Sequence, residues 1–131
     1  MRKVLVVDDE FLVRVGIKSF LNWEENGYTI IAEAADGKQA LEIMERELPD
    51  VVLTDLKMDG MDGFELIQVS RKRFPSVQFV VLSSFEDGEN VKRAMKLGAA
   101  DYIFKLTSKP DELLRILNEL PYEQPENEAE K

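Results

Sequence analysis

The sequence predicts a three-layer α/β fold, in which a parallel sheet of five strands lies between two layers of helices. Strand-like and helix-like patterns alternate five times along the chain. The strand-like runs are almost continuously apolar and rich in Val and Ile, as parallel strands buried on both faces are. Because a helical pattern separates each strand from the next, right-handed crossover connections and a parallel sheet are expected.

The strands are predicted from apolar runs that turn residues interrupt. They cover Lys3–Asp8, Tyr28–Glu33, Asp50–Asp55, Val77–Leu82 and Ala100–Phe104. Pro49 and Pro75 each break the chain shortly before a strand.

The helices are predicted from apolar residues three or four positions apart. Their positions are Val13, Ile17, Phe20 and Leu21; Leu41, Met44 and Leu48; Val91, Ala94 and Met95; and Leu113, Leu117 and Leu120. Gly98 is expected to end the fourth helix in a left-handed conformation. Ser108 is expected to cap the fifth, with Pro110 and Asp111 in its first turn.

Composition narrows the possible functions. The 131 residues suggest one domain, 1–120, followed by a polar tail, 121–131, that is predicted to be a disordered linker. The chain has no Cys and no His, which excludes thiol chemistry, imidazole catalysis and zinc bound by those side chains. The net charge of −9 argues against nucleic-acid binding by this chain alone. No run approaches the roughly 18 apolar residues of a membrane helix, and we expect a cytoplasmic protein.

Two apolar runs end on carboxylates. The first strand stops at Asp8 and Asp9, and the third stops at Asp55. If these strands are neighbours, the three acids converge, and two unit charges about 4 Å apart repel by roughly 4 kcal/mol at an effective dielectric constant of 20. Mg²⁺ would relieve this repulsion, since it binds one or two carboxylates together with waters and phosphate oxygens. The sequence therefore predicts a magnesium pocket with a carboxylate nucleophile.

A purely structural role for these acids is the alternative to this pocket. Asp9 could cap the helix that begins near Phe11. Asp59 and Asp62, each followed by Gly, are typical of turns. Capping does not explain the adjacent pair Asp8–Asp9, so the pocket is the preferred interpretation.

Two more residues are predicted at the same edge of the sheet. Ser83 ends the fourth strand and offers a hydroxyl, and Lys105 follows the fifth strand and offers a positive charge. Lys105 could equally be a solvated surface charge. Beside an acidic pocket, the pair better suits a phosphoryl group, because phosphoryl transfer needs mostly positioning and charge neutralisation.

Four motifs in order resemble the receiver domain of two-component response regulators. They are VVDDE at 6–10, DLKMDGMDG at 55–63, LSS at 82–84 and GAADYIFK at 98–105, and the resemblance covers residues 2–120. It implies a flavodoxin-like fold with strand order 2-1-3-4-5. LNWEENGY at 21–28 and the stretch 83–106 further resemble receivers that carry an AraC-type DNA-binding domain, which these 131 residues lack.

The resemblance also implies a role for each site residue. Asp55 is the phosphoacceptor, and Asp8, Asp9, Asp55 and the backbone carbonyl of Lys57 hold Mg²⁺. Ser83 and Lys105 bind the phosphoryl oxygens, and Tyr102 is an aromatic switch that turns inward with Ser83. The resemblance implies that the phosphoryl donor is a phosphohistidine of a partner kinase. Because this chain has no His, that phosphohistidine must belong to another protein. The face formed by the fourth helix, fifth strand and fifth helix is implied as a dimer or output surface.

The sequence departs from the family pattern at two positions, where Asp59 and Leu106 replace customary prolines. Leu106 leaves the geometry of the peptide after Lys105 open. Ser84 places a small side chain beside the site.

Three other functions are alternatives to a phosphorylation-controlled switch. A hydrolase of the dehalogenase type needs an acid two residues after its nucleophile, where Lys57 stands. A flavin module needs a hydroxyl- and glycine-rich loop after the first strand, where the chain has Asp8, Asp9 and Glu10. An interaction module would keep the fold without phosphorylation.

Overall fold

The structure, a computed structural model, describes residues 1–84, 86–105 and 108–122. Five strands and five α-helices alternate, with one short 3₁₀ helix at Glu24–Asn26. The strands are β1 (Arg2–Val7), β2 (Tyr28–Ala34), β3 (Val51–Asp55), β4 (Gln78–Ser83) and β5 (Asp101–Phe104). The helices are α1 (Phe11–Phe20), α2 (Gly37–Arg46), α3 (Gly63–Arg73), α4 (Gly88–Leu97) and α5 (Pro110–Glu119).

The five strands form one parallel sheet in the order β2-β1-β3-β4-β5, which confirms the predicted topology. β1 and β3 are neighbours, with Val7 opposite Thr54. The central strand β3 is buried along its whole length. Its first three residues, VVL, are all apolar, as expected for a strand with helices on both faces of the sheet.

Each face of the sheet has its own apolar core. One core lies under α2, α3 and α4 and includes Leu5, Val52 and Phe79. The other lies under α1 and α5 and includes Val6 and Leu53. Alternate residues of the same strands point to opposite cores, as the two-residue repeat of a strand requires.

The helix ends match the predictions only in part. Gly98 ends α4 with φ 116°, in the left-handed region, as predicted. The expected Ser108 cap is wrong, because Lys109 is the N-cap residue and the Ser108 hydroxyl instead accepts a hydrogen bond from the Phe104 N–H at 3.1 Å. The alternative cap at Asp9 is also wrong, since Glu10 occupies the N-cap position of α1.

Two residues assigned to the apolar helix faces are partly exposed instead. Leu48 lies beyond the end of α2 and is 43% exposed, and Met95 on α4 is 37% exposed. Their spacing matches a helical stripe, but α2 ends at Arg46 and the inner face of α4 is filled by Val91 and Ala94.

The first two residues of the predicted tail contact the domain. The Gln78 side-chain amide donates to the Pro121 carbonyl at 3.1 Å, and the Arg2 guanidinium carbon lies 3.9 Å from the centre of the Tyr122 ring. Residues 123–131 lie outside the described part of the chain, so their disorder stays a prediction. Among the described helices, none is long and apolar enough to cross a membrane.

Candidate functional site

Three acids converge at the carboxyl ends of β1 and β3. Asp55 is the last residue of β3, and Asp8 directly follows β1, whose Val7 lies opposite Thr54. One carboxylate oxygen each from Asp8, Asp9 and Asp55 lie within 4.8 Å of one another. Asp8 is fully buried, Asp55 is 9% exposed and Asp9 is exposed. The structure thus brings together the three acids that the sequence predicted.

Backbone N–H groups orient the two buried carboxylates. Asp8 Oδ1 accepts a hydrogen bond from the Glu10 N–H at 2.9 Å. Asp55 Oδ1 accepts one from the Leu56 N–H at 2.7 Å and a longer one from the Lys57 N–H at 3.4 Å. Each carboxylate therefore presents its other oxygen, Oδ2, to the pocket.

Lys105 bridges these two oxygens. Its ammonium nitrogen lies 2.9 Å from Asp8 Oδ2 and 3.0 Å from Asp55 Oδ2, and its side chain is only 18% exposed. Burial by itself would lower the pKa of Lys105, but hydrogen bonds and attraction from Asp8 and Asp55 outweigh burial and raise that pKa. Lys105 is therefore a charged partner of the acid pocket, which excludes the solvated-charge interpretation.

Ser83 lies at the same edge of the sheet. It ends β4, is 1% exposed, and its carbonyl accepts a hydrogen bond from the Lys105 N–H at 2.9 Å. Among the described residues, its hydroxyl has no hydrogen-bond partner. A buried hydroxyl without a partner is costly, so Ser83 is suited to donate to an added group.

Tyr102 and Lys57 are more exposed than the pocket itself. Tyr102 is 38% exposed, and its ring packs edge-on against Phe104 with 5.4 Å between ring centres. The Lys57 ammonium is paired with Asp87 at 3.3 Å, at the start of α4, and its side chain is 69% exposed. The role of the Lys57 carbonyl as a metal ligand stays a prediction.

The MDGMDG loop joins the pocket to α3. Asp62 caps α3 through its side chain, which accepts from the Glu65 N–H at 3.0 Å, and Gly60 adopts φ 73°. Gly63 packs so tightly that a Cβ there would lie 2.8 Å from Leu56 Cα. The structural interpretation is thus correct for Asp62, while the acids of the pocket are not helix caps. Leu106 lies outside the described residues, and so does the peptide after Lys105.

A further charged cluster, which the sequence patterns did not identify, adjoins the pocket. Arg14 on α1 donates from Nη1 to the Asp8 carbonyl at 2.6 Å and from Nε to Glu33 Oε1 at 2.9 Å. The Lys18 ammonium lies 2.6 Å from Glu33 Oε2. The hydrogen bond with Lys18 holds the pKa of Glu33 below its usual value; burial opposes this and Arg14 reinforces it. Arg14 and Glu33 are 19 positions apart, so no local spacing signals their contact.

The donor set fits Mg²⁺. Three carboxylates from one short loop and one strand end offer hard oxygen ligands, which Mg²⁺ prefers to nitrogen or sulfur. Asp9 is exposed and leaves an open side for water or a phosphate oxygen. Asp8, Asp9 and Asp55 would hold the ion.

Comparison with known proteins identifies the family. Residues 4–118 match the response regulator receiver domain. The chain is 43% identical over 105 residues to the uncharacterized transcriptional regulatory protein YesN of Bacillus subtilis, covering 80% of this chain and 28% of YesN. It is 41% identical over 109 residues to the response regulator protein VraR of Staphylococcus epidermidis, covering 83% of this chain and 52% of VraR. The chain thus spans between about a quarter and a half of these relatives.

Solved structures of response regulator receiver domains superpose well on this chain. The REC domain of AraT, a response regulator from Geobacillus stearothermophilus, superposes with a TM-score of 0.81 at 32% identity, covering 89% of this chain and 90% of that one. The receiver domain of the putative response regulator NarL from Mycobacterium tuberculosis gives 0.79 at 31% identity, with 89% and 93% covered. The chain belongs to the response regulator receiver family and is a signalling domain of phosphorylation-dependent two-component systems.

Proposed function

We propose that Asp55 accepts a phosphoryl group from a phosphohistidine of a partner kinase, and that this modification switches the domain. The convergence of Asp8, Asp9, Asp55 and Lys105 carries the proposal. Asp55 Oδ2 is the oxygen that faces the pocket, because backbone N–H groups already engage Oδ1. The nucleophile is therefore oriented before the donor arrives, which favours the reaction.

In the transfer, an Asp55 carboxylate oxygen forms a bond to phosphorus while the bond from phosphorus to the donor imidazole nitrogen breaks. The electron pair of the broken bond stays on the imidazole. Bound Mg²⁺ would neutralise charge on the phosphoryl oxygens. Lys105 is already charged and 3.0 Å from Asp55 Oδ2, so it can pair with the added oxygens after a small movement. The domain thus promotes only its own phosphorylation and dephosphorylation.

Ser83 and Tyr102 form the proposed switch. The buried Ser83 hydroxyl gains a partner when it donates to a phosphoryl oxygen. Its movement would open space toward β5, and the partly exposed Tyr102 ring would turn into that space. The phosphoryl group adds nearly two negative charges, enough to shift the balance between two packings of this region.

The α4-β5-α5 face is the proposed output surface, because Tyr102 lies on β5 between α4 and α5. Phosphorylation would favour a homodimer or an output contact through this face. Since the chain spans only part of its relatives, DNA binding is proposed for an additional output domain, of AraC type, rather than for this chain.

Intact mass spectrometry after treatment with acetyl phosphate and Mg²⁺ tests the proposal. The wild-type protein should gain one phosphoryl group, and removal of Mg²⁺ by EDTA should abolish the gain. Asp55→Asn should gain none. Asp59→Asn is the matched control, since Asp59 is an exposed acid of the neighbouring loop, and it should be modified like the wild type.

Two results would contradict the proposal. Equal modification of Asp55→Asn would place the nucleophile elsewhere. No modification of the wild type, together with no Mg²⁺ binding, would leave an interaction module of the same fold. Steady hydrolysis of small phosphomonoesters would instead indicate the hydrolase function, although Lys57 stands where that chemistry needs an acid.

A further inference from the structure

The pocket end of α1 has little apolar packing to hold it. None of the ten described residues of α1 is fully buried. At its pocket end, Phe11 and Leu12 are 63% and 78% exposed. The other end of the helix is better anchored, since Ile17 and Phe20 pack against the core and the Trp23 indole donates to the Ile17 carbonyl at 3.0 Å.

Arg14 supplies the missing attachment at the pocket end. Its side chain is 15% exposed and makes two short hydrogen bonds, one to the Asp8 carbonyl and one to Glu33. Glu33 belongs to the edge strand β2, whose next residue, Ala34, accepts from the Asp8 N–H at 3.0 Å. The turn that carries Asp8 and Asp9 is therefore tied to β2 from both its N–H and its C=O sides.

We propose that Arg14 is a positioning residue of the acid pocket, which clamps the Asp8–Asp9 turn to β2 through Glu33 and thereby sets the affinity of the pocket for Mg²⁺. The inference rests on the proposed function, in which these acids hold the ion. The hydrogen bonds of Arg14 go to the Asp8 backbone carbonyl and to Glu33 rather than to the carboxylates of the pocket, so Arg14 acts on the pocket through the Asp8 backbone. Groups that orient metal ligands in this way commonly change metal affinity by about 10- to 100-fold when they are removed.

The direction in which Arg14→Ala changes the affinity for Mg²⁺ distinguishes a positioning role of Arg14 from a purely electrostatic one. Arg14 is a cation close to the pocket, so its charge alone opposes Mg²⁺ binding. If it acted only through charge, Arg14→Ala would bind Mg²⁺ more tightly. If it positions the turn, Arg14→Ala binds Mg²⁺ more weakly, by about tenfold.

Lys18→Ala is the matched control. Lys18 is one turn further along α1, and its ion pair is with the other oxygen of Glu33 rather than with Asp8. Lys18→Ala removes one positive charge and one partner of Glu33, as Arg14→Ala does, but it keeps the hydrogen bond from Arg14 to the Asp8 carbonyl. Arg14→Lys keeps the charge without the planar fork that reaches two acceptors at once, so its affinity should fall between wild type and Arg14→Ala.

The experiment measures the Mg²⁺ dissociation constant of wild type and the three variants by isothermal titration calorimetry. We expect weaker binding for Arg14→Ala and unchanged or tighter binding for Lys18→Ala. Equal or tighter binding by Arg14→Ala would overturn the inference. Far-UV circular dichroism and thermal unfolding of each variant establish that the domain remains folded.

A second readout needs no metal. The Glu10 N–H donates to Asp8 Oδ1, so its exchange with solvent, followed by NMR in Mg²⁺-free protein, reports whether the turn is held. Exchange should be faster in Arg14→Ala than in Lys18→Ala, and equal rates would refute the clamp. Failure of the wild type itself to bind Mg²⁺ would count against the proposed function, while the exchange rates would still decide the role of Arg14.

Discussion

Replacing Lys105 by Met should destabilise the domain in a way that Mg²⁺ reverses. The substitution keeps the length of the side chain but leaves Asp8 and Asp55 without their shared cation. Oxygens of these acids lie within 4.8 Å of each other, and two unit charges at that distance repel by roughly 3.5 kcal/mol at an effective dielectric constant of 20. Breaking a buried ion pair costs about 3–5 kcal/mol. Since Lys105 is 18% exposed, we expect the lower end, about 3 kcal/mol.

Thermal unfolding with and without Mg²⁺ measures this effect. At roughly 4 °C per kcal/mol, Lys105→Met should unfold about 12 °C below wild type in EDTA. Mg²⁺ at a hundred times its dissociation constant for the variant stabilises Lys105→Met by about 2.7 kcal/mol, which should bring its unfolding temperature close to that of wild type in EDTA.

Lys57→Met provides the control. Lys57 also pairs with an Asp near the pocket, but its side chain is 69% exposed, so its loss should cost less than about 1 kcal/mol. Two results would refute this prediction. Lys105→Met would unfold at the wild-type temperature in EDTA, or Mg²⁺ would raise its unfolding temperature no more than it raises that of Lys57→Met.

Two further predictions concern packing and alkaline pH. Gly63→Ala should cost about 1–3 kcal/mol, because its Cβ would press on the Leu56 backbone. Gly88 is also the first residue of a helix, and no described atom lies within 4 Å of a Cβ placed there, so Gly88→Ala should be neutral or stabilising by up to about 1 kcal/mol. Equal unfolding temperatures for Gly63→Ala and Gly88→Ala would contradict this prediction. Burial raises the pKa of Tyr28 and Tyr122, so the unfolded chain loses these protons first, and the free energy of unfolding should fall above about pH 10. Ultraviolet absorbance of tyrosinate and denaturant unfolding across that range measure both effects, and a flat stability profile would argue against the burial of these phenols.

Most of the fold could be predicted from periodicity. The predicted bounds of all five strands lie within one residue of the observed ones, because each strand is a short apolar run bounded by polar or turn residues. The sheet order came from family resemblance, since no local pattern states which strands are neighbours. Helix caps were less predictable. Ser108 has the composition of a cap, but its hydroxyl binds the end of β5, and Lys109 begins the helix.

The pocket was predictable because its acids are strand-terminal, and parallel strands present their carboxyl ends at one edge. The clamp around Arg14 was not. It joins a helix to an edge strand through side chains that are distant in sequence, and Arg14 in isolation matches the polar face of any amphipathic helix. Contacts that depend on tertiary placement leave no periodic signal.

Localisation of the phosphoryl group tests the central claim most directly. Wild-type protein is phosphorylated with acetyl phosphate and Mg²⁺, reduced with borohydride and digested, and the peptides are sequenced by mass spectrometry. Borohydride converts an aspartyl phosphate to homoserine, so the account predicts homoserine at residue 55 only. Homoserine at Asp8, Asp9 or another Asp, with Asp55 unchanged, would contradict it.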